Sequence, residues 1–371
     1  MNSVLVYGLK DPVGGVEHAV MEYVRNMTSR FDITFDFLCF SDSFSLEKEI
    51  TGLGCRVINI PNRKKNPVRY KKAIAQLFRD NTYCAIWANY SGLSNIDMLI
   101  LGKKHAVPVR IAHSHVSRLY WGSPIMKYVV KFLHEYNKHR VKQYANVYLA
   151  CSRLARNFMF PEEVWQETML IRNAVDIERF HPDADNRQTV REKFGFEQNQ
   201  LIVGHVARLC EVKNQGFLLK IMAQLICEKP DAMLLLVGDG ELRGQLEAQA
   251  AELGIEDHVI FTGSRRDVPD LLHAMDVYVL TSFSEGLSVS TVEAQACGLP
   301  CVLSATVSEE TDISGVVDFI SLKESSKVWA DAIVRQSKRK VLDPTEQIAC
   351  HGYEISNAAE NMYRILTGDK V

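Results

Sequence analysis

Short runs of β-branched and aromatic residues alternate along the chain with longer stretches in which apolar positions recur every three to four residues. The first run is Val4-Leu5-Val6-Tyr7-Gly8, and others lie at 33–39, 56–60, 84–88, 109–112 and 147–150, with helical periodicity over 16–27, 67–79 and 124–144 between them. Alternation of this kind reads as βαβ units and predicts one parallel, doubly wound α/β sheet. Around 173–186 the rhythm weakens into a polar segment containing His181-Pro182, the expected interdomain linker. A fresh strand at 201–206 restarts it, with strands expected at 232–237, 259–262, 277–280 and 300–303 and helices at 214–227, 241–253, 268–274 and 288–296. Two tandem Rossmann-like domains follow, 1–180 and 181–345. A final helical pattern at 346–366, within a segment 346–371, comes after the second sheet is complete and is expected to cross back onto the first domain.

At 371 residues the chain is long enough for two cores, and with 47% hydrophobic and 24% charged residues it has an ordinary globular composition. No apolar run approaches the ~18 residues of a membrane span, and the N-terminal run lacks a basic flank and cleavage site. The expected location is therefore cytoplasmic. Nine cysteines, scattered without a Cys-x-x-Cys pair, are read as reduced thiols. The net charge of −2 conceals an asymmetry: residues 1–180 carry 25 Lys and Arg against 16 Asp and Glu, and 181–371 carry 18 against 29. A basic half suggests an anionic partner, and uneven surface charge without function is the plain alternative. Arg63, Lys64, Lys65, Arg69, Lys71 and Lys72 concentrate the positive charge. Without interleaved aromatics they do not suit nucleic acid; they suit anionic lipid headgroups or a lipid-linked diphosphate, or form a solvated loop face.

In open α/β sheets ligands bind beyond the carboxyl ends of the strands, so two facing domains leave a cleft lined by strand-to-helix loops. After the first strand, Gly14-Gly15 lets backbone amides approach a phosphate at a helix N-terminus, although such a pair is also an ordinary turn. The chain has neither Gly-x-Gly-x-x-Gly nor a Walker loop, which disfavours a nicotinamide cofactor. Arg208 and Lys213, five apart after a strand, would clamp a diphosphate or, taken singly, be solvated surface. The most specific stretch runs from Ser282 to Pro300, with Glu285 in a loop and Glu293 on an apolar helix. A carboxylate there is costly unless satisfied, either by the paired hydroxyls of a sugar or by backbone.

Glu285 and Glu293 at a spacing of eight, with Gly298-Leu299-Pro300 after them, resemble the donor signature of the retaining GT-B glycosyltransferases of family 4. The resemblance extends over nearly the whole chain through Gly14-Gly15-Val16-Glu17, Asn173-Ala174-Val175-Asp176, Arg208 with Lys213, Gly238-Asp239-Gly240, Thr262-Gly263 and the crossing C-terminal helix. His113-Ser114-His115 and Glu285-Gly286-Leu287 are similar to the bacterial exopolysaccharide and capsule branch. The resemblance implies two Rossmann-like domains facing a cleft, the GT-B fold. It implies that Glu293 holds the ribose of a sugar nucleotide, UDP before GDP or ADP. Glu285 would contact the transferred sugar, and Arg208 and Lys213 the diphosphate. Backbone at Phe283, Gly286, Leu287 and Ser288 would touch sugar and phosphates, Gly14 and Gly15 would approach from the first domain, and residues 262–265, with Gly263, would lie near the base. His113 matches the family's active-site histidine and His115 is its rival. Ala174 stands where the family usually has glycine, at a cost of about 1 kcal/mol if φ is positive there.

The family retains anomeric configuration without a bound metal or other cofactor. Asp183-Ala184-Asp185, the one Asp-x-Asp, lies in the linker region and is read as solvated loop. The expected activity moves a hexose or N-acetylhexosamine to a lipid-linked or saccharide acceptor in surface polysaccharide synthesis, at the inner face of the cell membrane. The rivals are a non-catalytic sugar-nucleotide-binding partner of another transferase and a GT-B-like epimerase.

Overall fold

The computed structural model describes residues 2–11, 13–41, 44–63, 65–117, 124–285, 287–339 and 343–369. Lys64 and Gly286, both singled out above, lie outside them. The chain divides into two compact units, one formed by 1–174 with 355–371 and the other by 175–354.

The first unit runs β1 (Asn2–Tyr7), α1 (Gly15–Arg30), β2 (Ile33–Cys39), α2 (Glu47–Gly52), β3 (Arg56–Asn59), α3 (Pro67–Asp80), β4 (Ala85–Tyr90), α4 (Asp97–Lys104), β5 (Val109–Ser114), α5 (Pro124–Arg140), β6 (Val147–Ala150), α6 (Arg153–Met159) and β7 (Thr168–Leu170). Its strands form a parallel sheet in the order β3-β2-β1-β4-β5-β6-β7. The central strands are largely apolar because helices cover both faces, and every residue of β4, Asn89 included, is buried. Local signals agree with the boundaries: Pro67 opens α3 behind Asn66, whose side chain accepts from the Arg69 amide.

The second unit contains α7 (Ala184–Phe194), β8 (Ile202–Val206), α8 (Gln215–Ile226), β9 (Met233–Val237), α9 (Arg243–Glu252), β10 (Val259–Gly263), α10 (Val268–Ala274), β11 (Val277–Leu280), α11 (Val289–Ala296), β12 (Cys301–Ser304), β13 (Val317–Ile320), α12 (Ser326–Gln336) and α13 (Thr345–Cys350). Its parallel sheet has the order β10-β9-β8-β11-β12-β13. In both sheets the order reverses beside the first strand of the unit, where α/β folds place ligands.

The C-terminal pattern is not one helix. Gly352, at φ +76°, breaks it into α13, which stays with the second unit, and α14 (Ile355–Thr367), which belongs to the first. Ile355, Ala359, Met362 and Leu366 of α14 join the core that holds Val20, Val24 and Met27 of α1, and Tyr363 stacks on Phe31 at 4.2 Å. Asp183-Ala184-Asp185 is likewise not a loop: Asp183 caps α7 by accepting from the Asn186 amide at 2.9 Å. Ala174 is buried and is not among the non-glycine residues with positive φ, so the strain considered for it does not arise. All nine cysteines are free.

Candidate functional site

In the second unit the predicted residues gather on the loops that follow β8, β9, β10 and β11, all at the carboxyl edge of one parallel sheet. Two loops are stitched together first. The Phe283 amide donates to the Val212 carbonyl at 2.8 Å, and the Thr281 hydroxyl bonds the carbonyls of Lys213 and Asn214 at 3.2 and 3.0 Å. Asn214 adopts φ +54° and donates back to the Thr281 carbonyl, a left-handed turn that asparagine tolerates.

This stitching brings Lys213 onto Glu285, with the ammonium donating to Oε1 and the Ser282 hydroxyl adding a bond to the same oxygen at 3.0 Å. The pair is mostly buried, with side-chain exposures of 21% and 16%. Arg208 holds a different carboxylate. Its guanidinium pairs with Glu241 at 3.0 Å, and both side chains are exposed. Glu241 was not visible as a partner from sequence because it lies on another loop. Ser288 caps α11 by accepting from the Thr291 amide, and Glu293 is half-buried one turn further along. Leu287 is buried and Phe283 exposed.

Two glycines shape this edge. A Cβ on Gly240 would meet the Leu209 carbonyl oxygen at 2.2 Å, and one on Gly238, at φ +134°, would meet that of Ala207 at 2.0 Å. The 238–240 turn is thus pressed against the loop that carries Arg208. Gly263, at φ +71°, accepts from the Gly238 amide at 3.0 Å, which links the ends of β9 and β10. Arg265 beyond it is paired with Asp267. Under the same loop, buried His205 donates from Nδ1 to the Val279 carbonyl at 2.8 Å, and Gln215 donates from Nε2 to His205 Nε2 at 3.2 Å and to the Arg208 carbonyl at 2.9 Å. Burial lowers the His205 pKa from an ordinary 6.5 to about 4.

In the first unit, Gly14 caps α1, but its amide is already bound by Glu17 Oε2 at 2.9 Å, and Glu17 Oε1 accepts from the Lys10 amide. The buried Glu17 carboxylate therefore occupies part of the anion position that the glycine pair offers. Gly15 is exposed, with no atom near the place of a Cβ. His113 and His115 lie on one face at the end of β5, ring centres 4.0 Å apart, as their spacing of two requires. Trp87 donates to His113 Nδ1 at 3.1 Å, which puts the proton on Nε2. Asn89 spends its amide protons on the Tyr7 and Trp87 carbonyls, so its oxygen accepts from His115 Nε2–H at 2.8 Å, and His115 Nδ1 keeps a lone pair. Among the described residues, His113 Nε2, His115 Nδ1 and the Tyr90 hydroxyl find no hydrogen-bond partner. Burial drives the His113 pKa far down, helped by His115, and lowers that of His115 to about 3. Both rings are neutral at pH 7, one offering a donor and the other an acceptor. Trp87 and Asn89, which set these tautomers, carry no sequence signal of their own beyond lying in β4.

Lys65, Arg69, Lys71 and Lys72 are exposed, and Arg63 pairs with Asp97 at the start of α4. No cluster of three metal-ligating side chains occurs among the described residues, and none of their helices is long and apolar enough to cross a membrane.

A sequence model of the family glycosyl transferases group 1 matches residues 186–333. A Bacillus subtilis (strain 168) protein named as the glycosyltransferase EpsF is 32% identical, the match covering 95% of this chain and 94% of EpsF. An Escherichia coli UDP-Gal:alpha-D-GlcNAc-diphosphoundecaprenol alpha-1,3-galactosyltransferase is 32% identical over 47% of this chain and 46% of its own. Among solved structures, Anabaena HepE in complex with UDP and glucose superposes with a TM-score of 0.78 at 20% identity, covering 99% of this chain and 100% of HepE, a likeness of fold.

Proposed function

Since this chain belongs to the group 1 glycosyltransferases, we propose that it moves a hexose or N-acetylhexosamine from a UDP-sugar to a lipid-linked or saccharide acceptor in bacterial surface polysaccharide synthesis. In this reading anomeric configuration is retained and no metal takes part. The observation that carries it is the Lys213–Glu285 pair, held between two stitched loops at the carboxyl edge of the second sheet. A relative that uses UDP-galactose on a diphosphoundecaprenol-linked sugar, and a fold shared with a UDP complex, support the choice of donor and acceptor class.

Each residue has a chemical task in this reading. Arg208 sits in an exposed pair with Glu241, worth at most about 1 kcal/mol, so exchanging that partner for a phosphate costs little. Lys213 supplies a second cation from partly buried surroundings, where its charge is less screened. Together they stabilise negative charge as it builds on the departing diphosphate, the task a metal performs elsewhere. Glu285 keeps the Ser282 hydroxyl when Lys213 turns to phosphate, and it accepts hydrogen bonds from the sugar hydroxyls. Glu293 binds the ribose. Backbone at Phe283, Leu287 and Ser288 lines the sugar and phosphates, and Gly263 lies near the base. Within the first unit, Gly15 more than Gly14 remains open to an anion.

His113 and His115 act as neutral hydrogen-bonding groups that position a sugar, since burial holds both far from protonation. The acceptor proton then leaves with the phosphate in a front-face displacement. Arg63, Lys65, Arg69, Lys71 and Lys72 face the anionic portion of the acceptor or the membrane that carries it.

The test is a panel of UDP-, GDP- and ADP-sugars given to chelator-treated protein, with nucleoside diphosphate release and thermal protection measured together. Stabilisation by one UDP-sugar with slow release, both lost in Glu293→Ala, is the expected result. Protection by no sugar nucleotide would overturn the reading, as would activity that returns only with added divalent metal.

A further inference from the structure

The loop from Arg208 to Lys213 is tied shut by one buried carboxamide. Gln215, the first residue of α8, is 1% exposed and donates from Nε2 to the Arg208 carbonyl at 2.9 Å and to His205 Nε2 at 3.2 Å. The orientation of this amide is forced. A carbonyl oxygen only accepts, so the group facing Arg208 is the NH2 and not the oxygen. At the other end of the chain of bonds the Val279 carbonyl likewise only accepts, which places the His205 proton on Nδ1 and leaves a lone pair on Nε2 for the second Gln215 proton. Both amide protons of Gln215 are thus engaged, and among the described residues its Oε1 has no partner. A buried oxygen left without a partner costs stability, so packing does not account for a glutamine here; its two donors do.

Those donors act where the loop carries its charge. The backbone on either side of Arg208 is gripped from the end of β9, the Ala207 amide by the Val237 carbonyl and the Leu209 amide by the Asp239 carbonyl, both at 3.0 Å. The Arg208 carbonyl is held from α8, by Gln215. At the far end the Thr281 hydroxyl bonds the carbonyls of Lys213 and Asn214. The Gln215 bond therefore ties the start of the loop to its end and sets the separation of its two cations. Beyond that frame the Arg208 guanidinium is loosely held, with side-chain exposures of 44% for Arg208 and 55% for its partner Glu241. A long exposed side chain reaches a ligand from a spread of rotamers, so the placement of its backbone decides how much ordering remains to be done on binding.

We propose that Gln215, oriented by His205, is a positioning residue that holds Arg208 and Lys213 at the spacing of a diphosphate, so that the chain prefers a nucleoside diphosphate to the monophosphate. Gln215 acts through Arg208 and touches no ligand itself. The inference rests on the proposed role of Arg208 in donor binding and deepens it.

The experiment is calorimetry of the full chain with UDP and with UMP, for wild type, Gln215→Met, Gln215→Asn and Arg208→Gln. Methionine keeps the length of the side chain without a donor, and asparagine keeps the amide but is a methylene too short to reach both partners. In each Gln215 variant the preference for UDP over UMP should fall about tenfold while UMP affinity holds within about twofold. Hydrogen exchange of the backbone over 207–214 should quicken in both. Adding Gln215→Met to Arg208→Gln should lower the preference no further, because the two act through one contact. Equal weakening of UDP and UMP would mark a structural role only and overturn the proposal, as would losses that add in the double variant. Wild type that prefers UDP, with that preference unmoved in both Gln215 variants, overturns the inference alone. Wild type that binds neither nucleotide brings down the donor reading and the inference with it.

Discussion

Replacing His205 with glutamine should remove a defined part of the acid sensitivity of the second unit. His205 is fully buried beneath the Arg208 loop, with Nδ1–H spent on the Val279 carbonyl and the Nε2 lone pair facing the Gln215 amide nitrogen. A proton on Nε2 would confront that N–H; turning the Gln215 amide over would relieve the clash but break the bond from Gln215 to the Arg208 carbonyl. Either outcome opposes protonation, in line with the lowered pKa of about 4. The sign follows from linkage. Above pH 6.5 both folded and unfolded imidazoles are neutral and the residue contributes no pH dependence. Below 6.5 the unfolded chain takes up a proton that the folded chain refuses until about pH 4, so stability falls across that window and then levels. The loss is about 2 kcal/mol by pH 5 and about 3 kcal/mol by pH 4. Urea unfolding at pH 7.5 and pH 5, with hydrogen exchange of β8 and β11 peptides reporting on this unit, measures it. His115, in the other unit, adds a similar slope in both proteins, so the informative quantity is the difference between variant and wild type. In His205→Gln the drop between the two pH values should shrink by about 2 kcal/mol. An unchanged drop, or an imidazole titration of His205 centred near 6.5, would refute the reasoning.

Four further substitutions probe the same unit. Gly240→Ala forces a Cβ onto the Leu209 carbonyl and should cost about 1–3 kcal/mol, seen in urea unfolding together with a displaced Arg208 loop; an unmoved loop at wild-type stability would count against the close approach. Gln295→Leu removes a buried amide whose oxygen accepts from the Ile313 and Ser314 amides and the Ser314 hydroxyl and whose nitrogen reaches the Thr311 carbonyl. It should lower unfolding free energy by about 3 kcal/mol, since several buried groups lose their partner at once. Lys213→Met should destabilise by about 1–2 kcal/mol, between the surface and buried limits for ion pairs, whereas Arg208→Gln should cost under about 0.5 kcal/mol. Both should weaken UDP binding by calorimetry at least tenfold if they meet the diphosphate; unaltered binding in either removes that residue from the donor site.

Most of the sheet strands were legible in the sequence because a strand covered on both faces must be largely apolar at consecutive positions, a requirement that β11 meets at every residue and β4 and β12 at all but Asn89 and Ser304. The shorter edge strands β7 and β13 and the polar helix α7 carry weaker patterns and were not anticipated. The break at Gly352 was hidden because a glycine inside an apolar period reads as a tolerated helix residue until its φ is known.

By itself the sequence determined two α/β sheets, the rim of loops on which chemistry would lie, and the residue types able to hold a sugar and a diphosphate. These follow from periodicity and from where turn and charged residues interrupt it, which are local properties of the chain. Only the tertiary structure decided which charge meets which: Lys213 with Glu285, Arg208 with Glu241, and Glu17 on the amide of Gly14. It also decided that His113 and His115 are neutral, because both are buried, and that both carry the proton on Nε2, because Trp87 and Asn89 come from a neighbouring strand. Pairings of this kind depend on crossovers that bring distant loops to one edge, and on burial that sets the cost of a charge, neither of which is written in the spacing of residues along the chain.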